Sequence, residues 1–541
     1  MPYSCPKSTD MASENSLPPG AHNITDVFAV HGADPEVLAY AMAKYSRSAL
    51  SMRESLTEIS AQRAEQFLNT FYFQYGHRSI ADLAHVAFAV ERLSLLAAIV
   101  LVDEQRWDGQ ERSTRYQDFM KSGWFLPDFG EDSAARALYA ETIGSLFGTY
   151  QRTTAAVHEA LRGQVSCPET MKPEAYERTL KARAFDVARY LLPLGTNTSL
   201  GQIVNARTLE TQVSRLLSSS MAEVRDLGGR LREAAAGAGW NVNAQAAAAF
   251  VGKLGDLPGS GALAEEASGL FMREVRTVPT LVKYAEPNEY LIATRADLEQ
   301  AAGELLAGIA PAPAPLVDLV ERTETLEVEL AATLLYWVSH HPYRQLRDLV
   351  AELPAERVAE IIELGLRRRG RHDEALRAFH SGAALRFDIL MDIGGFRDMH
   401  RHRRVTQIQQ GFTALHGYEI PTSGDMAEGV NILAEAGMLD DFKGALDGAH
   451  AASARIAAGT AKEAAESALY LLPLATKVRC LFKMDFAEAQ YISELRSGPA
   501  GHFSYRRVAW EMFTSFERQH PSLARHIRVT DFTQPIDILK R

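Results

Sequence analysis

Apolar residues recur with a helical period along much of the chain. Asp34 is suited to cap a helix, and Val37, Leu38, Ala41 and Met42 follow at helical spacing, which predicts a helix over Pro35–Arg53. Asp132–Leu161 reads as a second helix, and Glu321–His340 as a third with Pro342 as its stop signal. Strand-like stretches are fewer. They are Ala87–Val90, together with Thr280–Tyr284 and Tyr290–Ala293, a pair that flanks a Glu-Pro-Asn turn. The pattern predicts a helix-rich protein with little sheet.

From Gly228 to Gly261 the periodicity gives way to Gly and Ala, which predicts a linker over residues 228–265. Within it, Gly259-Ser260-Gly261-Ala262-Leu263-Ala264 loosely matches a dinucleotide-binding fingerprint, but no clear strand precedes it, so the linker reading stands. The linker divides the chain into similar lengths, and the two parts share segments in the same order. Leu38-Ala-Tyr-Ala-Met-Ala-Lys-Tyr-Ser46 resembles the slightly longer Leu330–Ser339. Tyr190-Leu-Leu-Pro-Leu194 matches Tyr470-Leu-Leu-Pro-Leu474. Twelve residues after each proline stands a polar residue, Asn205 in one part and Asp485 in the other. Three ordered matches point to an internal duplication.

Composition narrows the function classes. The 541 residues are 46% hydrophobic, enough for a large core, and carry a net charge of −11. That charge argues against a general nucleic-acid binder, which needs a basic surface. Cys5, Cys167 and Cys480 are odd in number and far apart, so they suggest neither a disulfide framework nor a zinc site, and no metal is expected. A reducing cytoplasm fits. Residues 1–23 read as a frayed Ser/Pro-rich tail rather than a secretory signal, and the longest apolar run, Leu93–Val102, is too short to span a bilayer.

Four clusters carry candidate chemistry. His400-Arg401-His402-Arg403-Arg404 is the densest cationic run and reads as an anion pocket or a solvated basic surface. Arginine offers a fixed donor fork for phosphate or an ionised ring edge, and histidine adds a donor whose charge changes near neutral pH. Glu111-Arg112-Ser113-Thr114-Arg115-Tyr116 supplies hydroxyls, guanidiniums and a carboxylate suited to a sugar phosphate, or to a helix cap. Gly76-His77-Arg78-Ser79 with Asp82, and Asn205-Ala206-Arg207, complete the set; alone, each reads more simply as a turn or an exposed helix face.

Together the clusters resemble the flavin-dependent thymidylate synthases. That family carries Arg-His-Arg, seven residues, then Ser, in a pattern ending Glu-x-Ser-x-Arg-Tyr. A Gly-His-x-Ser/Thr element lies upstream. A Leu-Pro, an Asn-x-Arg and a later arginine lie downstream. In the first half, Gly76–Ser79 with Asp82 match the upstream element, and Glu111, Ser113, Arg115 and Tyr116 match the end of the central motif. Arg189 precedes Leu192-Pro193, and Asn205-Ala206-Arg207 matches Asn-x-Arg. But Asp103-Glu104-Gln105 stands where Arg-His-Arg belongs, and Leu216, beside Arg215, takes the place of the late arginine. The second half is the reverse: Arg401-His402-Arg403 and Arg496 are in place. Gln409 replaces the glutamate, Gly411 the serine and Asp485-Phe486-Ala487 the Asn-x-Arg, while the upstream element is blurred to Gly370-Arg371-His372-Asp373.

Each half keeps what the other has lost. In the family, active sites lie between subunits of a homotetramer, so the resemblance implies one composite site between two tandem repeats, 24–227 and 266–541. It implies an α+β fold of two thymidylate-synthase-complementing-protein-like repeats, helix-rich with a small sheet in each. It implies FAD, with NADPH and methylene-tetrahydrofolate as co-substrates, and a pyrimidine nucleoside monophosphate as substrate. The reaction implied is reductive methylation of deoxyuridylate to thymidylate. The alternatives are methylation of another pyrimidine nucleotide such as uridylate, or a non-catalytic nucleotide- or flavin-binding homologue. Arg496 would be the catalytic residue, favouring the ionised pyrimidine. Arg401, Glu111, Ser113, Thr114, Arg115, Arg189 and Arg496 would bind the nucleotide. His77, Ser79, Asp82, Glu111, Asn205, Arg207, Arg401, His402 and Arg403 would bind the cofactor. Two chains would pair into a four-repeat assembly.

Overall fold

The computed structural model describes residues 28–30, 32–44, 52, 78–283, 285–370, 373–421, 431–460, 463–535 and 537–539. Its first repeat holds an antiparallel sheet of β1 (His85–Ser94), β2 (Asp108–Glu111) and β3 (Asn197–Asn205), in the order β1-β3-β2. Its second holds β4 (Val317–Leu319), β5 (Leu385–Asp392), β6 (Thr406–Gln409) and β7 (Lys477–Met484), in the order β4-β5-β7-β6. The second sheet thus repeats the first, with β5-β7-β6 in place of β1-β3-β2 and one added edge strand. The expected strand at Ala87–Val90 lies within β1. The central β7 is buried along nearly its whole length, as a strand paired on both sides and covered on both faces must be.

The capping chemistry repeats as well. The Ser94 hydroxyl at the end of β1 accepts from the Ala97 amide at 2.9 Å, and the Asp392 carboxylate at the end of β5 accepts from Gly395 at 2.6 Å. Asn205 and Asp485 likewise cap the helices Ala206–Leu217 and Phe486–Ser497, accepting from Thr208 at 2.8 Å and Glu488 at 2.9 Å. A short polar side chain at each strand-to-helix junction satisfies an amide that the helix leaves free.

The two Tyr-Leu-Leu-Pro-Leu segments bind each other. The Leu194 amide donates to the Leu472 carbonyl and the Leu474 amide to the Leu192 carbonyl, both at 2.9 Å. Gly195 donates to Tyr470 at 2.7 Å, and Ala475 to Tyr190 at 3.0 Å. Such reciprocity, i to j and j to i, is what a two-fold axis produces between identical subunits. Here it joins two repeats of one chain. Leu192, Leu194, Leu472 and Leu474 are buried within one apolar core shared by both repeats. Truncating any of them to alanine would cost about 2–5 kcal/mol.

Several local expectations change. The helix predicted from Asp132 is Ser133–Gln164, capped by Asp132 as expected. The helix after Asp34 is described over Pro35–Lys44; residues 45–51 and 53 lie outside the described residues. The third predicted helix is shorter, Leu326–Trp337, because the Thr325 hydroxyl caps its start; Pro342 stands at the N-cap of the next helix, Tyr343–Ala351. Neither Thr280–Lys283 nor Tyr290–Ala293 is a strand. Residues 280–283 form turns in which Glu36 accepts from the Thr280 and Leu281 amides at 2.7 and 2.9 Å; Tyr284 lies outside the described residues. Tyr290–Ala293 opens the helix Glu289–Leu305, capped by Asn288, with Tyr290, Thr294, Leu298 and Ala302 buried at a spacing of four. A four-residue window is too short to show that spacing.

The segment read as a linker is largely helical. It holds the end of Ala222–Ala236, where Leu231 and Ala235 are buried, then Ala244–Gly255 and the start of Gly261–Phe271. Gly259, at φ +81°, lies in the turn between the last two helices, so the glycine fingerprint is a helix–helix connection. Among the described residues no helix is long and apolar enough to cross a membrane.

Candidate composite site between the repeats

Two short elements of the first repeat and three helices of the second bring the predicted residues together. β2 ends at Glu111, and the loop after it carries Ser113, Thr114 and Arg115. Arg189 follows the helix Pro173–Ala188. From the second repeat, Ile393–Met399 runs into His400–Arg404, Phe486–Ser497 carries Arg496, and Phe503–Gln519 begins beside it.

Arg115 and Arg189 are buried. Arg115 donates through Nε to Asp186 Oδ1 at 2.8 Å, through Nη1 to Tyr505 Oη at 2.8 Å and through Nη2 to the Ala500 carbonyl at 3.2 Å. Asp186 and this ring of acceptors keep its guanidinium firmly charged despite burial. Arg189 donates to Thr114 Oγ1 and, through both terminal nitrogens, to Asp398 Oδ2, each at 3.4 Å. Ser113 Oγ accepts from the Arg115 amide at 3.2 Å. Glu111 is paired with Arg397 across the repeat boundary.

Asp398 lies at the centre. Burial alone would raise its carboxyl, but Arg189, Arg115, Arg401 and Arg496 together hold it below the usual range. Two arginines of each repeat therefore converge on one carboxylate. Arg496 donates through Nε to His402 Nε2 at 2.8 Å, and its guanidinium sits 5.4 Å from the Tyr505 ring. The terminal nitrogens of Arg401 and Arg496 have no hydrogen-bond partner among the described residues. Arg183 also lies 3.9 Å from Asp186, and Asp392 acts on Arg189, so five guanidiniums face the three carboxylates Asp186, Asp392 and Asp398, which leaves a surplus of about two positive charges.

Arg403 points the other way. Its guanidinium stacks 4.3 Å from the Trp107 ring, its Nε is buried without a partner, and burial beside Arg401 lowers it to about 10. Trp107 is held by a 2.7 Å hydrogen bond from its indole to Gln202. Its neighbour Arg106 lies 3.5 Å from Asp82, which also pairs with Arg207 at 3.5 Å; Arg207 reaches Glu374 at 3.3 Å. Ser79 is exposed on the 3-10 turn Arg78–Leu83, and the Asn205 side-chain oxygen Oδ1 is engaged in its cap. The predicted cofactor residues Asp82, Arg207 and Arg403 are thus linked through Arg106-Trp107. His77 and His372 lie outside the described residues.

The counterpart positions across the pseudo-axis are closed. Asp103, in place of Arg401, pairs with Arg377 at 2.5 Å and lies 3.6 Å from His400. Arg377, His400 and Arg215 hold its carboxyl low against burial. Glu104, in place of His402, pairs with Arg215 at 2.8 Å. The displaced arginine noticed in the sequence thus serves an ion pair.

The sequence reading passed over Asp398, Arg397, Asp186, Tyr505 and Trp107. For two of them a signal existed: Arg397 and Asp398 precede Arg401 by only four and three residues, near the end of the helix that leads into it. The others meet the site from distant segments.

Residues 29–236 and 318–522 match the sequence model of the family described as "Thymidylate synthase complementing protein". A "UPF0159 protein" of Chlamydia muridarum is 28% identical, covering 92% of this chain and 91% of that protein. Another from Thermoplasma acidophilum is 24% identical, covering 91% and 94%. A Helicobacter pylori structure described as flavin dependent thymidylate synthase ThyX complexed with FAD and dUMP is similar at 17% identity and a TM-score of 0.25, covering 37% of this chain and 89% of that one.

Proposed function

This chain belongs to the thymidylate synthase complementing protein family as two tandem repeats, and on that premise we propose that it carries out flavin-dependent methylation of deoxyuridylate at one composite site. The observation that supports this most is the meeting of Arg115 and Arg189 with Arg401 and Arg496 around Asp398. A surplus of about two positive charges suits a monophosphate dianion. Arg115, Arg189, Ser113 and Thr114 bind the phosphate. Arg496, whose terminal nitrogens remain available, faces the pyrimidine and favours its ionised form. Arg401 contacts both nucleotide and flavin.

The residues fit a flavin. The buried, unpartnered Nε of Arg403 and the cation over Trp107 form a positive, aromatic wall suited to an anionic ring system. His402 and Arg403 would hold the isoalloxazine, with Ser79, Asp82, Asn205 and Arg207 toward the rest of FAD. When bound, reduced FAD supplies hydride, with NADPH as reductant and methylene-tetrahydrofolate as carbon donor. The protein positions the ligands, stabilises charge and needs no nucleophile of its own.

Spectra after FAD reconstitution test the reading, followed by methyl-transfer assays on deoxyuridylate and uridylate. Bound flavin and methylation of deoxyuridylate are expected. No bound flavin overturns the proposal, and activity on uridylate alone reassigns the substrate. Two chains pair into a four-repeat assembly in this reading; a solution mass equal to one chain overturns that part.

A further inference from the structure

Arg496 is held by an unusual partner. Its Nε–H donates at 2.8 Å to His402 Nε2, so that ring nitrogen must present its lone pair. A cationic imidazole has no lone pair to offer, and the neutral ring offers one at Nε2 only when its proton sits on Nδ1. Nδ1 faces Glu488 Oε1 at 3.3 Å. Glu488 lies in the first turn of the helix that carries Arg496 near its end, and its backbone amide is fixed by the Asp485 cap at 2.9 Å. His402 and Glu488 are both buried, with side chains 4% and 7% exposed. The three groups form a line, Glu488 to His402 to Arg496, that ends with free guanidinium nitrogens beside Asp398.

We propose that Glu488 is a positioning residue: it fixes the Nδ1–H tautomer of His402, and through it the orientation of the Arg496 guanidinium toward the ligand. The proposal rests on the nucleotide reading of the site for its functional consequence, but not for its geometry. Without an acceptor at Nδ1, the ring is free to carry its proton on Nε2, where it meets the Arg496 Nε–H donor to donor. Arg496 must then turn away, and the nucleotide loses a preorganised contact. Groups that orient a ligand-facing side chain from behind typically change affinity or activity by about 10–100-fold when removed.

The other neighbours of the ring do not supply the same constraint. Tyr491 meets His402 edge-on at a centroid distance of 5.7 Å, and the Gln407 amide bonds the His402 carbonyl rather than its ring. Arg403 and Arg496 only disfavour the cation. Among the described residues, Glu488 alone accepts from Nδ1.

The experiment is nitrogen NMR of histidine-labelled protein, with His402 assigned by its loss in His402→Gln, alongside calorimetric titration of deoxyuridylate. In the wild-type chain His402 should show a protonated Nδ1 and a lone-pair-type Nε2. Glu488→Ala should shift the ring toward the other tautomer and weaken deoxyuridylate about tenfold or more, while Glu488→Gln, whose amide oxygen still accepts, should restore both. A wild-type ring protonated on Nε2 overturns the proposal, as does a folded Glu488→Ala with unchanged tautomer. Loss of affinity in Glu488→Gln equal to that in Glu488→Ala, with the tautomer intact in Glu488→Gln, also overturns it, because the side chain then acts on the ligand by another route. If deoxyuridylate fails to bind the wild-type chain, the nucleotide reading fails, while the tautomer still decides the role of Glu488.

Discussion

Replacing Asp398 with asparagine removes one negative charge from the centre of the arginine cluster and keeps the side chain's size. Asp398 Oδ2 is 3.4 Å from both terminal nitrogens of Arg189. At an effective dielectric of about 20, unit charges at that separation attract by about 5 kcal/mol before desolvation is subtracted. Asparagine keeps an acceptor oxygen toward Arg189, so the net loss of stability in the free protein should be about 1–3 kcal/mol. Ligand binding should move in the opposite direction. A phosphate dianion on Arg189 competes with Asp398 for the same donors and is repelled by it. Two unit repulsions across about 6 Å also amount to about 5 kcal/mol at that dielectric, most of it offset by the surrounding guanidiniums. We therefore expect Asp398→Asn to bind deoxyuridylate about 10–100-fold more tightly, or about 1.4–2.8 kcal/mol. Titration calorimetry near pH 8 reads this directly. Deoxyuridine, which lacks the phosphate, should gain little. Thermal melting should show a less stable free protein that recovers more on adding nucleotide. A folded Asp398→Asn whose affinity for deoxyuridylate is unchanged or weaker would refute the reasoning, because the phosphate would then not share the arginines with Asp398.

Arg115→Ala should destabilise the chain by about 1.5–3 kcal/mol, since the buried Asp186 carboxylate loses its 2.8 Å partner and keeps the more distant Arg183 at 3.9 Å; a loss below about 0.5 kcal/mol in urea unfolding contradicts this. His402 is held at about 3 by burial, Arg496 and Arg403, against an ordinary value of 6.5, even though Glu488 would favour its cation. Its neutral form is the folded form, so its contribution is complete above pH 6.5 and lost as the pH falls from 6.5 toward 3. Between pH 7 and 5 this is about 2 kcal/mol, which His402→Gln should lack; identical pH dependence in the two proteins would argue against it. With Asp103 and Glu104 engaged by Arg377 and Arg215, calorimetry should give one deoxyuridylate per chain, and a stoichiometry of two would show that the counterpart site also binds.

The parts of the site that could be read from sequence are those written as contiguous motifs. Arg401-His402-Arg403 and Glu111–Arg115 each lie within a few residues, so type and spacing were enough to mark them as candidates from different halves of the chain. Asp186 and Tyr505 were not legible, because they reach Arg115 from 71 and 390 residues away. No local pattern marks a residue whose partner is set by the pairing of two repeats. Asp398 was within reach as a carboxylate three residues before Arg401, but its role depends on Arg189 arriving from the other repeat. The fold shows the same division. The long helix after Asp132 carries its own cap and many turns of periodicity. Tyr290–Ala293 shows helix only when Leu298 and Ala302 are counted with it. The Gly/Ala segment hid helices because glycine lowers helix propensity without forbidding packing.

The asymmetry between the two pseudo-equivalent sites has a physical origin in the covalent joining of the repeats. In an assembly of identical subunits, any change at the position of Arg401 changes every site at once. In a duplicated chain, position 103 varies independently of position 401. A site lined with uncompensated guanidiniums destabilises the free protein through like-charge repulsion, which a bound anion relieves. At the counterpart site the strain has been removed. Asp103 and Glu104 face Arg377 and Arg215 at 2.5 and 2.8 Å, so cations there are neutralised within the protein. At the composite site the free donors of Arg401 and Arg496 remain, and Asp398 compensates only part of the charge. Loss of function alone would not favour ion pairs at one site and unpaired donors at the other. Stability favours pairing wherever binding is no longer required, so guanidinium nitrogens left without a protein partner at only one of two equivalent places, on the exposed Arg401 and the half-buried Arg496, argue that this place still has an anion to bind.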